Sequence, residues 1–112
     1  MADAQVLISD TGPLPVKATA QIMSDAQAIL TLSGSVWSTT PDRMIGFTLV
    51  VDGEPTNISA EIFSNGASEH RAVVPVTVPY TFTIGQHTFA LEPATSDTTS
   101  DSNDRYYLTV QY

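Results

Sequence analysis

Apolar and polar residues alternate along much of this chain, in short runs that end at turn residues. In the run 45–51, alternate positions place four apolar side chains on one side of an extended strand: Ile45, Phe47, Leu49 and Val51. The pair Asp52–Gly53 is a strong turn signal, and residues 58–63 alternate again beyond it. We therefore predict a hairpin at the middle of the chain, with residues 54–57 lengthening its connection beyond two residues.

Similar runs predict strands before the hairpin and at the end of the sequence. The first run, 6–8, stops at a turn cluster and is typical of an edge strand. Residues 28–36 alternate, with Gly34 at a bulge or a close approach. Residues 16–27 fit either a strand or a helix. The last run, 106–112, predicts a complete final strand.

The part from residue 70 to residue 91 carries two further signals. Its valine-rich first half is interrupted by Pro75 and Pro79, and proline cannot donate to a strand ladder. We therefore expect this half to lie at a sheet edge or to cross between sheets. Residues 80–84 and 87–91 alternate on either side of Gly85–Gln86 and predict a second, tight hairpin.

About eight short strands with turn signals between them are typical of sandwiches and barrels. No internal repeat of fixed period interrupts this pattern. The sequence predicts a single all-β domain over residues 1–112, a two-sheet antiparallel sandwich of the jelly-roll type. An immunoglobulin-like sandwich is the alternative. Phe47, Leu49, Phe89 and Leu108 are expected inside the sandwich, because each occupies the apolar parity of its strand.

Charge and composition narrow the range of partners. Twelve acidic residues against four Lys and Arg leave a net charge of −8, which repels phosphate backbones, so we expect no nucleic-acid partner. No stretch approaches the roughly 20 apolar residues of a membrane span. No signal peptide is visible, so the expected location is the cytoplasm or an assembled particle unless a leader was removed. The lack of cysteine excludes disulfides and thiolate chemistry.

The order of signals from residue 50 to residue 110 resembles a family of small bacterial jelly-roll domains. The matching signals are Val50–Gly53, Asn65, Ser68–Arg71, Pro75, Gly85–Leu91 and Asp101–Val110. They look like those of proteins similar to the tumour necrosis factor and C1q head domains. The resemblance implies a trimer that binds a protein or a sugar, in a family with few enzymes.

The polar segment 94–104 carries the strongest candidate for metal binding. Four of its side chains offer oxygen ligands: Asp97, Asp101, Asn103 and Asp104. Ca²⁺ takes six to eight oxygen ligands without strict geometry, so the sequence offers Ca²⁺ as the candidate cofactor. The alternative is a solvated loop whose Asp and Asn residues cap turns.

A ligand-binding surface is expected from the loops 38–43, 64–69 and 95–105. Trp37, Asn65, His70 and Arg71 are the candidate ligand-binding residues, because aromatic faces stack on sugar rings and polar groups bond to hydroxyls. Core packing is the alternative role of Trp37. No nucleophile accompanies the two histidines, so the sequence disfavours a catalytic or metal-binding role for either.

The final strand predicts self-association. It carries aromatic residues on both faces, and only one face can meet the core. Tyr106, Tyr107 and Tyr112 are therefore assigned to an oligomer interface, helped by the valines of 73–78. We expect a homotrimer, with a two-fold dimer as the alternative.

Three functional hypotheses remain open at this point. The leading one is a non-enzymatic recognition module that assembles as a homo-oligomer and binds a carbohydrate or a protein surface through its loops. The second is a structural subunit of a virion or an appendage. The third is a small enzyme with an unrecognised site.

Overall fold

Two antiparallel β-sheets make up the fold. A computed structural model describes residues 4–23 and 26–111. Nine strands form in this part of the chain: β1 Ala4–Thr11, β2 Val16–Ile22, β3 Ala26–Val36, β4 Arg43–Val51, β5 Glu54–Ser64, β6 Arg71–Ala72, β7 Val76–Phe82, β8 Gly85–Pro93 and β9 Arg105–Gln111. The predicted all-β, two-sheet sandwich of jelly-roll type is confirmed, with nine strands instead of about eight.

Strand order explains which segments are edges. The first sheet has the order β1-β9-β3-β6, with β7 also paired to β3, and the second has the order β2-β8-β4-β5. Among the described residues, strand β1 pairs only with β9, which confirms the predicted first edge strand. In the same part of the chain, strands β6 and β7 pair only with β3, so the proline-containing segment lies at a sheet edge, one of the two predicted positions.

Two local predictions are corrected or narrowed by the strand pairing. Residues 16–22 form strand β2 instead of a helix, whereas Ser24 and Asp25 lie outside the described residues. The β4–β5 connection is a two-residue turn, because Val51 pairs with Glu54. Asp52 and Gly53 have φ of 52° and 80°, the left-handed values that such a turn requires. Residues 54–57, which were expected to lengthen the connection, belong to strand β5, and a register shift opposite Leu49 accommodates them in the β4–β5 pairing.

The predicted second hairpin at Gly85–Gln86 is wrong. Strand β7 pairs with β3 in the first sheet, whereas β8 pairs with β2 and β4 in the second. The chain therefore crosses between the sheets at residues 83–84. Alternation puts the same residues inside in either arrangement, so the sequence pattern alone does not reveal the crossing.

Apolar side chains from both sheets fill the space between them. Phe47, Leu49, Phe89 and Leu108 have no exposed surface, which confirms the predicted core. The Phe47 ring meets the Tyr106 ring edge-on at 5.3 Å between centroids and so joins β4 to β9 across the core. At Gly34 a Cβ atom would lie 2.6 Å from the Tyr106 ring, so the predicted close approach at this glycine is confirmed.

The predicted interface tyrosines occupy different environments. Tyr106 is fully buried, and burial raises the pKa of its hydroxyl, so its assignment to an oligomer surface is wrong. Tyr107 is 39% exposed, on the outer face of the first sheet. Tyr112 lies outside the described residues. Among the valines of 73–78, Val74 is exposed, but Val73 is buried and the other two pack against the core.

Within the described residues, no helix is long and apolar enough to cross a membrane.

Candidate functional site

Four connections meet at one end of the sandwich, which we call the loop end: residues 12–15, 37–42, 65–70 and 94–104. Backbone hydrogen bonds tie them together. Trp37 and Thr99 exchange both of their backbone hydrogen bonds, at 2.7 and 2.9 Å. The amide of Ser68 donates to the carbonyl of Ser38, and the amide of Gly12 donates to the carbonyl of Asp104. The polar segment 94–104 is therefore bonded into the fold and is not only a solvated loop.

A buried carboxylate organises this end. Asp104 has no exposed surface, and three hydrogen bonds compensate its burial. Its Oδ1 accepts the Ser35 hydroxyl at 2.7 Å and faces His70 Nδ1 at 2.7 Å, while its Oδ2 accepts the Asp101 amide at 2.8 Å. Asp104 thus links strand β3, the β5–β6 connection and the start of β9.

His70 lies between two carboxylates. Its Nδ1 bonds to Asp104, and its Nε2 lies 3.6 Å from Oδ2 of Asp101. The hydrogen bond to Asp104 raises the pKa of His70 above its ordinary 6.5, and both negative charges add to this effect. Because 39% of its side chain is exposed, His70 remains accessible to solvent and ligands.

Trp37 supports His70 from one side. The two rings are 5.6 Å apart between centroids, with their planes tilted by 38°. The indole is partly buried, and its Nε1 is buried without a hydrogen-bond partner among the described residues. Trp37 therefore packs against the imidazole of His70, and its role in ligand binding stays a prediction.

An open cleft of about 550 Å³ adjoins His70. It is lined by Ile62 from strand β5 and by residues 69–72, which run into strand β6. Arg71 Nη2 lies 3.2 Å from Oε2 of Glu69, so a guanidinium and a carboxylate stand side by side at the cleft. The cleft therefore combines hydrogen-bond donors and acceptors with the apolar surface of Ile62 and Ala72.

The predicted site residues are brought together only in part. His70 and Arg71 line the cleft, Trp37 contacts His70, and Asn65 is exposed on the 65–70 loop. Of the predicted Ca²⁺ ligands, Asp101 and Asp104 converge, and they do so on His70.

The other two predicted ligands have different environments. Asp97 forms an ion pair with Arg43 at 3.5 Å, and Asn103 contributes its backbone amide, which donates to Oδ1 of Asp101. The structure thus gathers one imidazole and two carboxylates, and it does not gather the four oxygen ligands predicted from the sequence.

Sequence reasoning missed two features of the loop end. Ser35 was not recognised as a partner of Asp104, and no local signal in the sequence marks this pair. Phe63 is 50% exposed and lies opposite the exposed Met44 at the edge of the second sheet. Strand parity could have found Phe63, because its neighbours Ile62 and Ser64 point to the other face.

His87 occupies the opposite end of the sandwich and forms a different contact set. Its Nδ1 lies 2.6 Å from Oδ2 of Asp52, and its Nε2 lies 2.8 Å from the carbonyl oxygen of Thr83. The hydrogen bond to Asp52 raises the pKa of His87. The same bond lowers the pKa of Asp52. Through these contacts His87 joins the β4–β5 turn to the crossing between the sheets.

No protein-family model matches the sequence, and no curated protein matches it. Among solved structures, the chain is similar to the CBM36-1 domain of a multidomain xylanase from the hindgut metagenome of Trinervitermes trinervoides. The TM-score is 0.53 at 16% identity, over 98% of this chain and 96% of that domain.

Two larger proteins contain a similar fold. Dimeric latent PorU from Porphyromonas gingivalis matches with a TM-score of 0.62 at 6% identity, over 98% of this chain and 12% of that one. The exo-β-1,3-galactanase from Phanerochaete chrysosporium matches with a TM-score of 0.51 at 14% identity, over 88% of this chain and 21% of that one. This chain therefore spans a small part of either protein.

Identities this low establish a shared fold and leave function to the site itself. The jelly-roll part of the resemblance seen in the sequence is confirmed. The similar structures do not support the narrower likeness to tumour necrosis factor and C1q heads.

Proposed function

We propose that this protein is a non-enzymatic carbohydrate-binding module and that its ligand occupies the cleft at the loop end. The observation that carries the proposal is the composition of that cleft. Arg71 supplies donors, Glu69 supplies acceptors, and Ile62 and Ala72 supply apolar surface within one space of about 550 Å³. A sugar presents hydroxyls that donate and accept, on a ring with apolar faces, so this lining complements it.

Two further observations support the proposal. The cleft lies where the 65–70 connection enters strand β6, and backbone hydrogen bonds hold this connection on the sandwich, which is where binding residues commonly occur. The fold is also that of a CBM36-1 domain of a xylanase, although at 16% identity this similarity carries no ligand with it. His70 and Arg71 are assigned to direct contact with the ligand, Asn65 to the rim, and Trp37 to holding His70.

A glycan array tests the proposal, with the purified chain applied in calcium and again in chelator. We expect binding to a restricted set of glycans. The best glycan is then titrated against Arg71→Gln by calorimetry. Loss of hydrogen bonds from a charged group costs about 1.5–3 kcal/mol, which weakens binding by roughly 10- to 100-fold.

Arg105→Gln is the matched control, because it makes the same change of charge beside Tyr107 on the outer face of the first sheet. It should bind the glycan as the unaltered protein does. A flat array under both conditions would overturn the proposal. If Arg71→Gln and Arg105→Gln weaken glycan binding equally, the cleft is not the binding site. If glycan binding requires calcium, Ca²⁺ would again be assigned as the cofactor of this site.

A further inference from the structure

We propose that His70 and Asp101 form a binding site for a divalent transition-metal ion of the zinc type. His70 Nε2 and Asp101 Oδ2 would be the two protein ligands, and Asp104 would hold the imidazole from behind. The remaining coordination positions would be taken by water or by an external ligand. This inference shares His70 with the proposed sugar cleft, but it does not require that the protein bind a carbohydrate.

The distance between the two proposed ligands fits a single metal ion between them. His70 Nδ1 and Asp104 Oδ1 are 2.7 Å apart, the length of a strong hydrogen bond, but His70 Nε2 and Asp101 Oδ2 are separated by 3.6 Å. Two ligands on one tetrahedral zinc ion, each bound at about 2.0–2.1 Å, lie roughly 3.4 Å apart. The observed gap is therefore close to the spacing that one metal ion requires.

The groups behind the site orient both ligands. In the neutral ring, Nδ1–H of His70 donates to Asp104 and Nε2 carries the lone pair on the side of Asp101, the arrangement in which a carboxylate supports a metal-binding histidine. Asp101 uses Oδ1 to accept the Asn103 amide at 2.8 Å, so its Oδ2 is the oxygen left for a metal. The Trp37 ring packs on the imidazole and limits its movement.

Charge and access also suit a cation. Two carboxylates surround one imidazole, and among the described residues His70 is the one basic group that pairs with either of them. The side chains of His70 and Asp101 are each 39% exposed, which leaves room for further ligands. An imidazole nitrogen beside carboxylate oxygen suits zinc, copper or nickel, whereas Ca²⁺ requires six to eight oxygens.

The test is a titration of the full chain with zinc chloride, in which the fluorescence of Trp37 is measured after each addition. Trp37 is the single tryptophan of the chain and contacts the proposed ligand His70, so it reports on the site directly. The titration is run at about pH 8, because metal ligands must lose their protons, and it contains no sugar. We expect a saturable change with zinc and none with calcium at the same concentrations.

Asp101→Asn is the decisive variant, because the amide oxygen can still accept the Asn103 amide but no longer carries the ligand charge. It should weaken zinc binding at least 10-fold, with His70→Gln giving a similar loss. Asp97→Asn is the matched control: it makes the same charge change in the same segment, but Asp97 pairs with Arg43. The zinc affinity of Asp97→Asn should stay within about 2-fold of that of the unaltered protein.

Three results would overturn the proposal: no saturable response to zinc, an equal response to calcium, or equal weakening by Asp97→Asn and Asp101→Asn. Arg71→Gln should bind zinc with unchanged affinity even if its affinity for a sugar is lost. Failure of the zinc proposal is therefore distinguishable from failure of the carbohydrate proposal.

Discussion

Replacing Phe89 with alanine should remove one of the largest contributions to the stability of this sandwich. The Phe89 side chain has no exposed surface. Its ring meets Phe82 edge-on at 5.8 Å and so connects strand β8 of the second sheet to strand β7 of the first. On its two neighbouring strands it faces Ala18 of β2 and Val51 of β4, and both side chains are smaller than the ring that truncation would remove.

The structure places the expected loss at about 3–5 kcal/mol, the range for Phe to Ala in a core. A chain of 112 residues at roughly 0.05–0.15 kcal/mol per residue has a free energy of unfolding of about 6–17 kcal/mol. The variant would therefore fold with a much reduced margin. For a denaturant slope of about 1.5 kcal/mol per molar in urea, the midpoint should fall by roughly 2–3 M.

Phe63→Ala is the matched control for the urea titration. It removes the same side chain from the same sheet, but at a position that is 50% exposed, so its cost should stay under about 1 kcal/mol. Both unfolding curves are followed by far-ultraviolet circular dichroism. If Phe89→Ala costs no more than Phe63→Ala, the assignment of inside and outside in the second sheet is wrong.

Two further predictions concern pH and assembly. The pKa values of His70 and His87 are both raised above 6.5, so their contribution to stability is complete below that pH and is lost as the pH rises through the raised values. The urea midpoint should therefore fall as the pH rises above 6.5, and the fall should be smaller in Asp52→Asn; parallel curves for the two proteins would show that the His87–Asp52 pair is not coupled to folding. The predicted homotrimer now depends on Tyr107. Light scattering should give a mass of about 36 kDa, three times the 12.0 kDa chain. Tyr107→Glu should lower the measured mass to that of one chain without loss of β-structure. A 12 kDa species of the unaltered protein at micromolar concentration would refute assembly, and a mass of two chains would correct it to the dimer.

The sequence alone was sufficient for the properties that depend on near neighbours in the chain. Alternation with a period of two assigned Phe47, Leu49, Phe89 and Leu108 to the core, because a strand sends successive side chains to opposite faces. The Asp52–Gly53 pair located the β4–β5 turn, because few residues adopt positive φ without strain, but the predicted connection was too long. The prolines placed the segment from 70 to 79 at an edge because they lack a donor.

The tertiary structure alone decided which strands pair and which polar groups meet. Strands β7 and β8 belong to different sheets, although their alternation fits a hairpin equally well. His70 and Asp104 are 34 residues apart in the chain and reach hydrogen-bonding distance because the strands that follow them, β6 and β9, both pair with β3. Asp97 and Asp101 lie close together in the same segment of the sequence, but Asp97 pairs with Arg43 and Asp101 pairs with His70. The physical reason is that local patterns set the face on which a side chain lies, whereas its partner depends on strand pairing between distant parts of the chain.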